Sequence, residues 1–84
     1  MIWIMGNQIE AQILAVDIGL REYSWRRLSL PAQVLEHRRP NVVVMDHTFD
    51  WHPVRFAAIT KALKLVGATF YTEHDLRDGK VPWI

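Results

Sequence analysis

Residues 41–45 read Asn-Val-Val-Val-Met, and this run decides the fold class of the chain. Three consecutive valines are typical of a strand that is buried on both faces, because a half-buried strand alternates apolar and polar residues. Strands of this kind occur mainly in parallel sheets, where helices cover each side. We therefore expect residues 41–45 to form a central strand of a mainly parallel sheet.

Strand and helix patterns alternate on both sides of this run. Short apolar or β-branched segments at residues 2–5, 23–30 and 68–71 predict three further strands. Apolar residues recur at helical spacing over residues 8–20 and again in the segment that begins at Pro53. The alternation predicts a small Rossmann-like α/β domain of two or three layers, with a mainly parallel four-stranded sheet and two main helices.

The first predicted helix carries an apolar stripe that we expect to face the core. The stripe consists of Ile9, Ile13, Val16 and Leu20. A second set of residues widens this face and consists of Ala11, Leu14, Ala15 and Ile18. Asn7 is a candidate N-cap, and Gly19 is a candidate stop signal near the end of the helix. The pattern therefore predicts a helix that the rest of the domain covers well.

Length and composition limit the chain to one domain, residues 1–84. Residues 73–84 are expected to form a charged C-terminal tail with a hydrophobic end. The formal net charge of +1 shows no strong electrostatic demand for nucleic acid or an anionic membrane. The absence of cysteine excludes disulfides, thiolate zinc sites and a cysteine nucleophile, and it fits a cytoplasmic protein. Residues 1–6 are apolar but lack a basic leader, so we expect neither a signal peptide nor a membrane partner.

Polar residues follow three of the four predicted strands. Gly6 and Asn7 follow the first strand, Asp46 and His47 the third, and His74 the fourth. Ligands of open parallel sheets usually bind beyond the carboxyl ends of the strands, so these five residues form the predicted ligand site. The segment before the first helix contains neither a dinucleotide fingerprint nor a P-loop. Gly6 either helps the helix N-terminus to bind an anion or simply makes the turn.

The loop after the third strand has the chemistry of a metal site without its spacing. Asp46, His47, Asp50 and His52 could ligate a divalent ion, yet they match none of the tight metal signatures. We interpret this segment as a polar loop and predict neither a metal nor a cofactor. The same side chains could perform acid–base chemistry, but no serine lies in a G-x-S-x-G elbow. A small hydrolase or transferase is therefore the third functional hypothesis.

Aromatic residues outside the predicted core favour an interaction surface. Trp25, Trp51 and Trp83 lie on an edge strand, in a loop and in the tail, and Ile84 follows the last of them. A thin core has little room for them all, and tryptophan is enriched at interface hot spots. These residues predict contact with another protein or with a second copy of the chain in a homodimer.

Two arginine pairs support an alternative hypothesis. Arg26-Arg27 and Arg38-Arg39 could contact phosphates, and Trp25 could stack on a base. Glu22 and Glu36 dilute the positive charge of these clusters. The alternative function is therefore a nucleotide- or nucleic-acid-binding module that uses the arginines or the carboxyl ends of the strands.

Three segments together resemble a known group of small proteins. They are residues 2–6 (Ile-Trp-Ile-Met-Gly) with the helix that follows, residues 23–29 (Tyr-Ser-Trp-Arg-Arg-Leu-Ser), and residues 42–44 with the next loop and helix. Over residues 2–72 the chain resembles small Rossmann-like proteins of unknown function that are encoded by bacteriophages of actinobacteria, including mycobacteriophages. The resemblance implies a setting in the host-cell cytoplasm and contact with a host protein, and it implies no catalytic residues.

A second resemblance concerns the fold alone. Residues 42–46, the following helix and residues 67–70 are similar to the central strand–helix–strand of the serine recombinase catalytic domain. That family needs a nucleophilic serine at the end of the first strand, where this chain has Gly6 and Asn7. The similarity therefore implies a related fold without recombination.

The favoured function is that of a small, phage-encoded, non-enzymatic protein of the cytoplasm. We expect it to bind a host protein and to perturb host growth, which would make it cytotoxic or part of host takeover. The nucleotide- or nucleic-acid-binding module remains the alternative, and the small hydrolase or transferase remains the third hypothesis.

Overall fold

The computed structural model describes residues 2–46 and 53–82. Its elements are β1 (Ile2–Met5), α1 (Gln8–Asp17), β2 (Trp25–Leu28), a 3₁₀ turn (Pro31–Gln33), β3 (Asn41–Val44), α2 (Pro53–Leu65), β4 (Thr69–Thr72) and α3 (Glu73–Arg77). Strands and helices alternate along the chain, as the sequence predicts. Four residues of the predicted sites lie outside the described residues: His47, Trp51, Trp83 and Ile84.

The four strands form one sheet in which every pair is parallel, in the order β2-β1-β3-β4. Ile2 of β1 pairs with Trp25 of β2 on one side and with Asn41 of β3 on the other. β1 is fully buried and β3 is buried at its centre, because their apolar residues supply both faces of the sheet. The predicted parallel α/β sheet with residues 41–45 near its centre is confirmed.

Helices cover both faces of the sheet, so the domain has three layers. On one face α1 and α3 pack over a cluster of buried residues: Ile2, Ile4, Ala11, Leu14, Val43, Met45, Leu76 and Val81. On the other face α2 and the 3₁₀ turn pack over a second cluster: Trp3, Met5, Leu28, Val34, Val42, Ile59, Ala62 and Leu63. Successive residues of β1 and β3 alternate between the two clusters, as the pleat of a strand requires.

The prediction for the core-facing side of α1 is correct for the set that contains the alanines and wrong for three residues of the stripe. Its buried residues are Ala11, Leu14 and Ala15, whereas Ile9, Ile13 and Val16 are 70%, 56% and 73% exposed. Both sets recur at helical spacing, but the helix can lie on the sheet with only one of them. The alanine-containing side faces the sheet, and small side chains there allow the helix to approach closely.

α1 also ends three residues earlier than the pattern predicts. The N–H of Leu20 donates to the carbonyl of Ala15 at 2.8 Å, and the N–H of Gly19 donates to the carbonyl of Val16 at 3.1 Å. This pair of bonds is a Schellman motif, which needs a left-handed residue at its centre. Gly19 supplies it with a φ of +72°, so the predicted stop signal is correct although the helix ends at Asp17.

Part of the segment expected to be a tail belongs to the folded domain. α3 begins directly after β4, and its Leu76 is 2% exposed within the core cluster beneath α1. Val81, beyond the end of α3, is buried in the same cluster to the same extent. Residues 73–82 of the expected charged tail therefore belong to the folded domain, because these two apolar side chains complete the core on that face.

Candidate functional site

The carboxyl edge of the sheet brings together three of the predicted site residues. Since β1 and β3 are adjacent and parallel, Gly6 and Asn7 lie beside the residues that follow β3, including Asp46. The Met45 N–H donates to the Met5 carbonyl at 3.0 Å, which continues the pairing to this edge. From the position between β1 and β3, the chain continues from β1 to β2 on one side and from β3 to β4 on the other side. This is the switch point at which open α/β sheets usually bind ligands.

Gly6 is a glycine because Met45 lies against it. A Cβ at position 6 would be 2.6 Å from the Met45 Sδ and 2.9 Å from its Cγ. Gly6 does not have a positive φ, unlike Gly19, Gly67 and Gly79, so its backbone conformation does not require a glycine. The Gly6 carbonyl accepts a hydrogen bond from Arg27 Nε at 3.0 Å. Both sides of this residue are therefore occupied by the protein's own side chains.

Asn7 and His74 make local contacts at the same edge. Asn7 caps α1, because its Oδ1 accepts the Ile9 N–H at 2.9 Å. His74 lies exposed on α3, with its Nε2 3.1 Å from Asp78 Oδ2 one turn further along the helix. Asp46 is exposed after β3. The predicted N-cap at Asn7 is confirmed, and the contacts given for Asn7 and His74 are each within their own helical segment.

A capping box at the start of α3 lowers the pKa of Asp75. Asp75 Oδ2 accepts the Thr72 backbone N–H at 3.0 Å, and Thr72 Oγ1 accepts the Asp75 N–H at 3.0 Å. The bond from the Thr72 backbone is the main cause that holds the pKa of Asp75 below its ordinary value, since a carboxylate that accepts an N–H favours its charged form. Asp75 therefore stabilises the link between β4 and α3 as a carboxylate.

A groove of about 230 Å³ runs between α1 and α3 at the carboxyl edge. It is lined by Glu10, Ile13, Leu14, Met45, Glu73 and Arg77. Its floor is apolar and its rim is charged. Arg77 lies 3.7 Å from Glu73 and 3.8 Å from Asp17, so the rim charges are held in long, solvent-exposed ion pairs. The groove continues onto α1 through Ile13.

The exposed side of α1 is an apolar surface that the sequence pattern did not identify. Ile9, Ile13 and Val16 follow one another at spacings of four and three residues on the solvent side of the helix. We call these three residues the α1 stripe. Glu10 and Asp17 are the exposed charged residues of the same helix, so the stripe has acidic neighbours. An apolar helix face of this spacing is typical of helices that dock into a groove of another protein.

A second surface groove lies on α2. It has a volume of about 530 Å³ and is lined by Phe56, Ala57, Thr60, Lys61, Lys64 and Leu65. All of these residues belong to a single helix, so the groove is a shallow gap between side chains. It has no part in the carboxyl edge, although the lysines give it a basic margin.

Trp25 contributes to the core more than to a free surface. It is partly buried and packs against the cluster beneath α1. Its position at the start of the edge strand β2 agrees with the predicted strand. The remaining predicted anchors, Trp51, Trp83 and Ile84, lie outside the described residues.

The two arginine pairs lie toward different ends of the sheet. Arg27 reaches the carboxyl edge, where it donates to Gly6. Arg38 and Arg39 precede β3 and border a depression beside Gly67 at the amino edge. Arg39 has a φ of +52°, and its N–H donates to the Val66 carbonyl at 2.8 Å. The fold therefore does not join the pairs into one continuous basic patch.

Gln33 is a structural residue that the sequence pattern did not single out. Its Oε1 accepts the N–H groups of Ser29 and Leu30, both at 2.8 Å, and its Nε2 donates to the Arg27 carbonyl at 3.2 Å. The side chain thereby closes the turn after β2. Gln33 is the third residue of the 3₁₀ turn, and its bond to the Leu30 N–H is the glutamine half of a capping box, so Pro31 at the first position followed by Gln33 at the third is the sequence signal that could have identified it.

The described part of the chain holds neither a cluster of metal ligands nor a helix that could span a membrane. Within residues 2–46 and 53–82, no three histidine or carboxylate side chains come together as ligands for a metal ion. No helix in these ranges has both the length and the apolar character needed to cross a bilayer.

The fold defines the class of this protein. It is a small three-layer α/β domain with a parallel sheet, consistent with a Rossmann-like domain. No protein-family model, no curated protein and no solved structure matches the chain. Its function must therefore be inferred from its own surface.

Proposed function

We propose that this chain is a non-enzymatic binding module that docks onto a host protein through the α1 stripe. The observation that carries this proposal is the exposure of Ile9, Ile13 and Val16, each by more than half. Burying such a side chain against a partner contributes about 1–2 kcal/mol. A small domain with a thin core would gain stability by burying large apolar side chains, yet these three are exposed to solvent.

The charges beside the stripe indicate the chemistry of the partner. Glu10 and Asp17 lie on the exposed side of α1, and Glu73 lies across the groove from Glu10. A partner that fits this surface has an apolar cleft with a basic rim, since opposite charges at the rim guide association. The α1–α3 groove could accept one apolar side chain of that partner beside Ile13.

The carboxyl edge supports binding over catalysis. Asn7 caps a helix and His74 pairs with Asp78. Catalysis at this edge would need a nucleophile and a base within hydrogen-bond reach of each other. Acid–base chemistry therefore remains the weaker hypothesis for this edge.

We further propose that the protein is phage-encoded and acts in the cytoplasm of an actinobacterial host, where capture of its partner slows growth. The resemblance of residues 2–72 to actinobacteriophage proteins motivates the source, and the lack of cysteine agrees with a reducing compartment. The growth effect follows if the bound partner is essential.

The test compares two substitutions on α1. Ile13→Glu places a charge in the stripe, whereas Gln12→Glu adds the same charge at an exposed position beside it. The tagged chain is used to capture partners from nuclease-treated host lysate, and the same variants are expressed in the host. We expect Ile13→Glu to lose both the captured protein and the growth effect while Gln12→Glu keeps them.

Circular dichroism verifies that both variants fold. A captured protein that binds Ile13→Glu as well as the unmodified chain would contradict docking through α1. A parallel capture from untreated lysate is the control, and a protein that is captured only without nuclease would instead favour the nucleic-acid alternative.

A further inference from the structure

Two hollows on the α2 side of the sheet adjoin each other, and cations line both of them without a carboxylate. The first is the groove of about 530 Å³ on α2, where Lys61 and Lys64 lie. The second is the depression at the amino edge, where Arg38 and Arg39 lie. Leu65 lines both hollows, so they form one continuous surface, which we call the α2 surface.

The nearly balanced charge of the whole chain hides this concentration of cations. The chain has 10 lysines and arginines and 9 aspartates and glutamates. The 3₁₀ turn and α2 cover one face of the sheet, and their segments are residues 29–40 and 53–68. These segments contain one carboxylate, Glu36, and five cations: Arg38, Arg39, Arg55, Lys61 and Lys64. On the opposite face, Glu10 and Glu73 line one hollow and Glu22 lines another. The fold therefore gathers positive charge on the α2 side.

The cations of the α2 surface do not balance charge within the fold. The ion pairs within residues 2–46 and 53–82 are those of His74 and Arg77, both on α3. A helix C-terminus carries about half a negative charge, and α2 ends at Leu65 beside this surface. That charge offsets only a small part of the four positive ones, so the α2 surface keeps a net charge of about +3.

The backbone holds Arg39 in place on this surface. Its φ of +52° lies in the left-handed region, which residues other than glycine rarely adopt. Its N–H donates to the Val66 carbonyl at 2.8 Å, and its Cγ lies 3.6 Å from the position of a Cβ at residue 67. Because the backbone and the stem of Arg39 are already placed, the side chain loses less conformational entropy when it binds a ligand.

We propose that the α2 surface binds single-stranded nucleic acid, with phosphate groups on the four cations and a base stacked on Phe56. Proteins that bind single strands combine a basic groove with aromatic side chains on which bases stack. Phe56 lines the groove and is only partly buried. From Phe56 to Leu65 the helix rises about 13.5 Å, so one strand laid along α2 also reaches the arginines at its end. The proposal goes beyond docking through α1 and does not depend on it, since the two helices cover opposite faces of the sheet.

Three other occupants fit the α2 surface less well. An anionic membrane binds helices whose exposed face carries large apolar side chains, whereas the exposed middle of α2 consists of Ala57, Ala58 and Lys61. A duplex matches the charge, but its bases stay stacked inside and leave Phe56 without a partner. An acidic protein also matches the charge, but its carboxylates gain nothing from the apolar floor of the groove.

Fluorescence anisotropy with a labelled oligothymidylate of about 12 nucleotides tests the proposal. The association constant is measured at several salt concentrations from about 0.05 to 0.2 M. For single strands, its logarithm falls with the logarithm of the salt concentration by about 0.7 per phosphate contact, so four contacts predict a slope of about −2.8. We expect the double variant Lys61→Gln/Lys64→Gln to bind at least about tenfold more weakly at about 0.05 M salt and to halve the slope to about −1.4. The control Arg21→Gln/Lys80→Gln removes the same net charge from exposed positions outside the α2 surface and should keep both values.

Two results with these variants would overturn the proposal. The first is an unmodified chain that does not bind the oligonucleotide at about 0.05 M salt and about 100 µM protein. The second is equal weakening by the two double variants, which would indicate attraction by net charge alone. All four substitutions are at exposed positions, and circular dichroism verifies that the variants fold.

Phe56→Leu tests the stacked base, because it keeps an apolar side chain and removes the aromatic ring. We expect binding at least about fivefold weaker with an unchanged salt slope. Unchanged binding by Phe56→Leu would overturn the assignment to a single strand, as would a duplex or phosphatidylserine vesicles that bind the unmodified chain as tightly as the single strand does. If Phe56→Leu does not fold, the comparison with the duplex decides. Lys61→Gln/Lys64→Gln should still capture the host protein, so failure of either proposal leaves the other standing.

Discussion

Gly6→Ala tests whether contact with Met45 is the reason for the glycine at the end of β1. The new Cβ would lie 2.6 Å from the Met45 Sδ and 2.9 Å from its Cγ, whereas ordinary contacts lie at 3.4–4 Å. Met45 is 7% exposed and has limited room to move. Overpacking of this kind costs about 1–3 kcal/mol. Each kcal/mol lowers the midpoint of thermal unfolding by about 4–8 °C in a domain of this size.

A second substitution, Met45→Ala, turns this expectation into a double-mutant cycle. It removes Sδ and Cγ and leaves the Met45 Cβ, which lies 3.1 Å from the position of the added methyl group. Met45→Ala alone should cost about 2 kcal/mol or more, because it leaves a cavity in the core. In the Met45→Ala background, Gly6→Ala should lower the free energy of unfolding by less than about 0.5 kcal/mol. The interaction energy between the two positions, which is the departure from additivity, should therefore reach about 1 kcal/mol or more.

Urea unfolding followed by circular dichroism measures all four corners of the cycle. Additive effects, within about 0.5 kcal/mol, would refute the contact as the cause. If Gly6→Ala left stability unchanged but abolished binding of a ligand, the glycine would be explained by close approach of that ligand instead.

Three polar contacts give further measurable effects. Gln33→Ala should lower the free energy of unfolding by about 1–3 kcal/mol, because two backbone N–H groups lose their shared acceptor, and urea unfolding measures the loss. Arg27→Met should lower the free energy of unfolding by about 1 kcal/mol or more, because the hydrogen bond to Gly6 is lost. The exposed control Arg26→Met should not lower it, and equal urea midpoints for the two variants would contradict this expectation. Asp75→Asn should flatten the acid branch of the stability curve: the folded-state pKa of Asp75 lies below its ordinary 3.8, so its contribution is present above that value and is lost as the pH falls through the lower pKa. Thermal unfolding from about pH 2 to 5 measures it, and an identical acid branch in Asp75→Asn would refute the role of this carboxylate.

The sheet can be predicted well from the sequence because its two central strands are buried on both faces and are therefore continuously apolar. Residues 42–44 are all valine and residues 2–5 are all apolar, and such runs are typical of the central strands of a parallel sheet that is covered on both faces. The alternation of strand and helix then indicates parallel connections, because a long crossover between parallel strands usually contains a helix; between β2 and β3 the 3₁₀ turn takes this place.

The orientation of α1 could not be predicted because two apolar sets satisfy the same periodicity. Hydrophobicity alone favours Ile9, Ile13 and Val16 over Ala11 and Ala15, yet the smaller set faces the sheet. The choice depends on how closely the helix can approach the strands, which is a property of the packed layers. The exposed stripe, and with it the proposed docking surface, follows from this choice.

Two other features depend on contacts between distant parts of the sequence. The sequence shows a glycine after β1, but only the pairing of β1 with β3 brings Met45 against it. Leu76 and Val81 are core residues of a charged segment, and two apolar positions do not make a periodic pattern. The parallel sheet places Gly6, Asn7 and the residues after β3 at one edge as expected, and the ligand site at this edge stays a prediction.

The order of the strands constrains how the chain can acquire its structure during synthesis. β1 is made first, but one of its two neighbours, β3, follows only after β2 and a long connection. No pair of strands is joined by a hairpin, so every pairing closes a long loop, which slows folding. Until residues 41–44 emerge from the ribosome, the apolar β1 has an open edge that can associate with other chains. A nascent chain that pauses before β3 therefore depends on chaperones, or on speed of elongation, to stay out of aggregates.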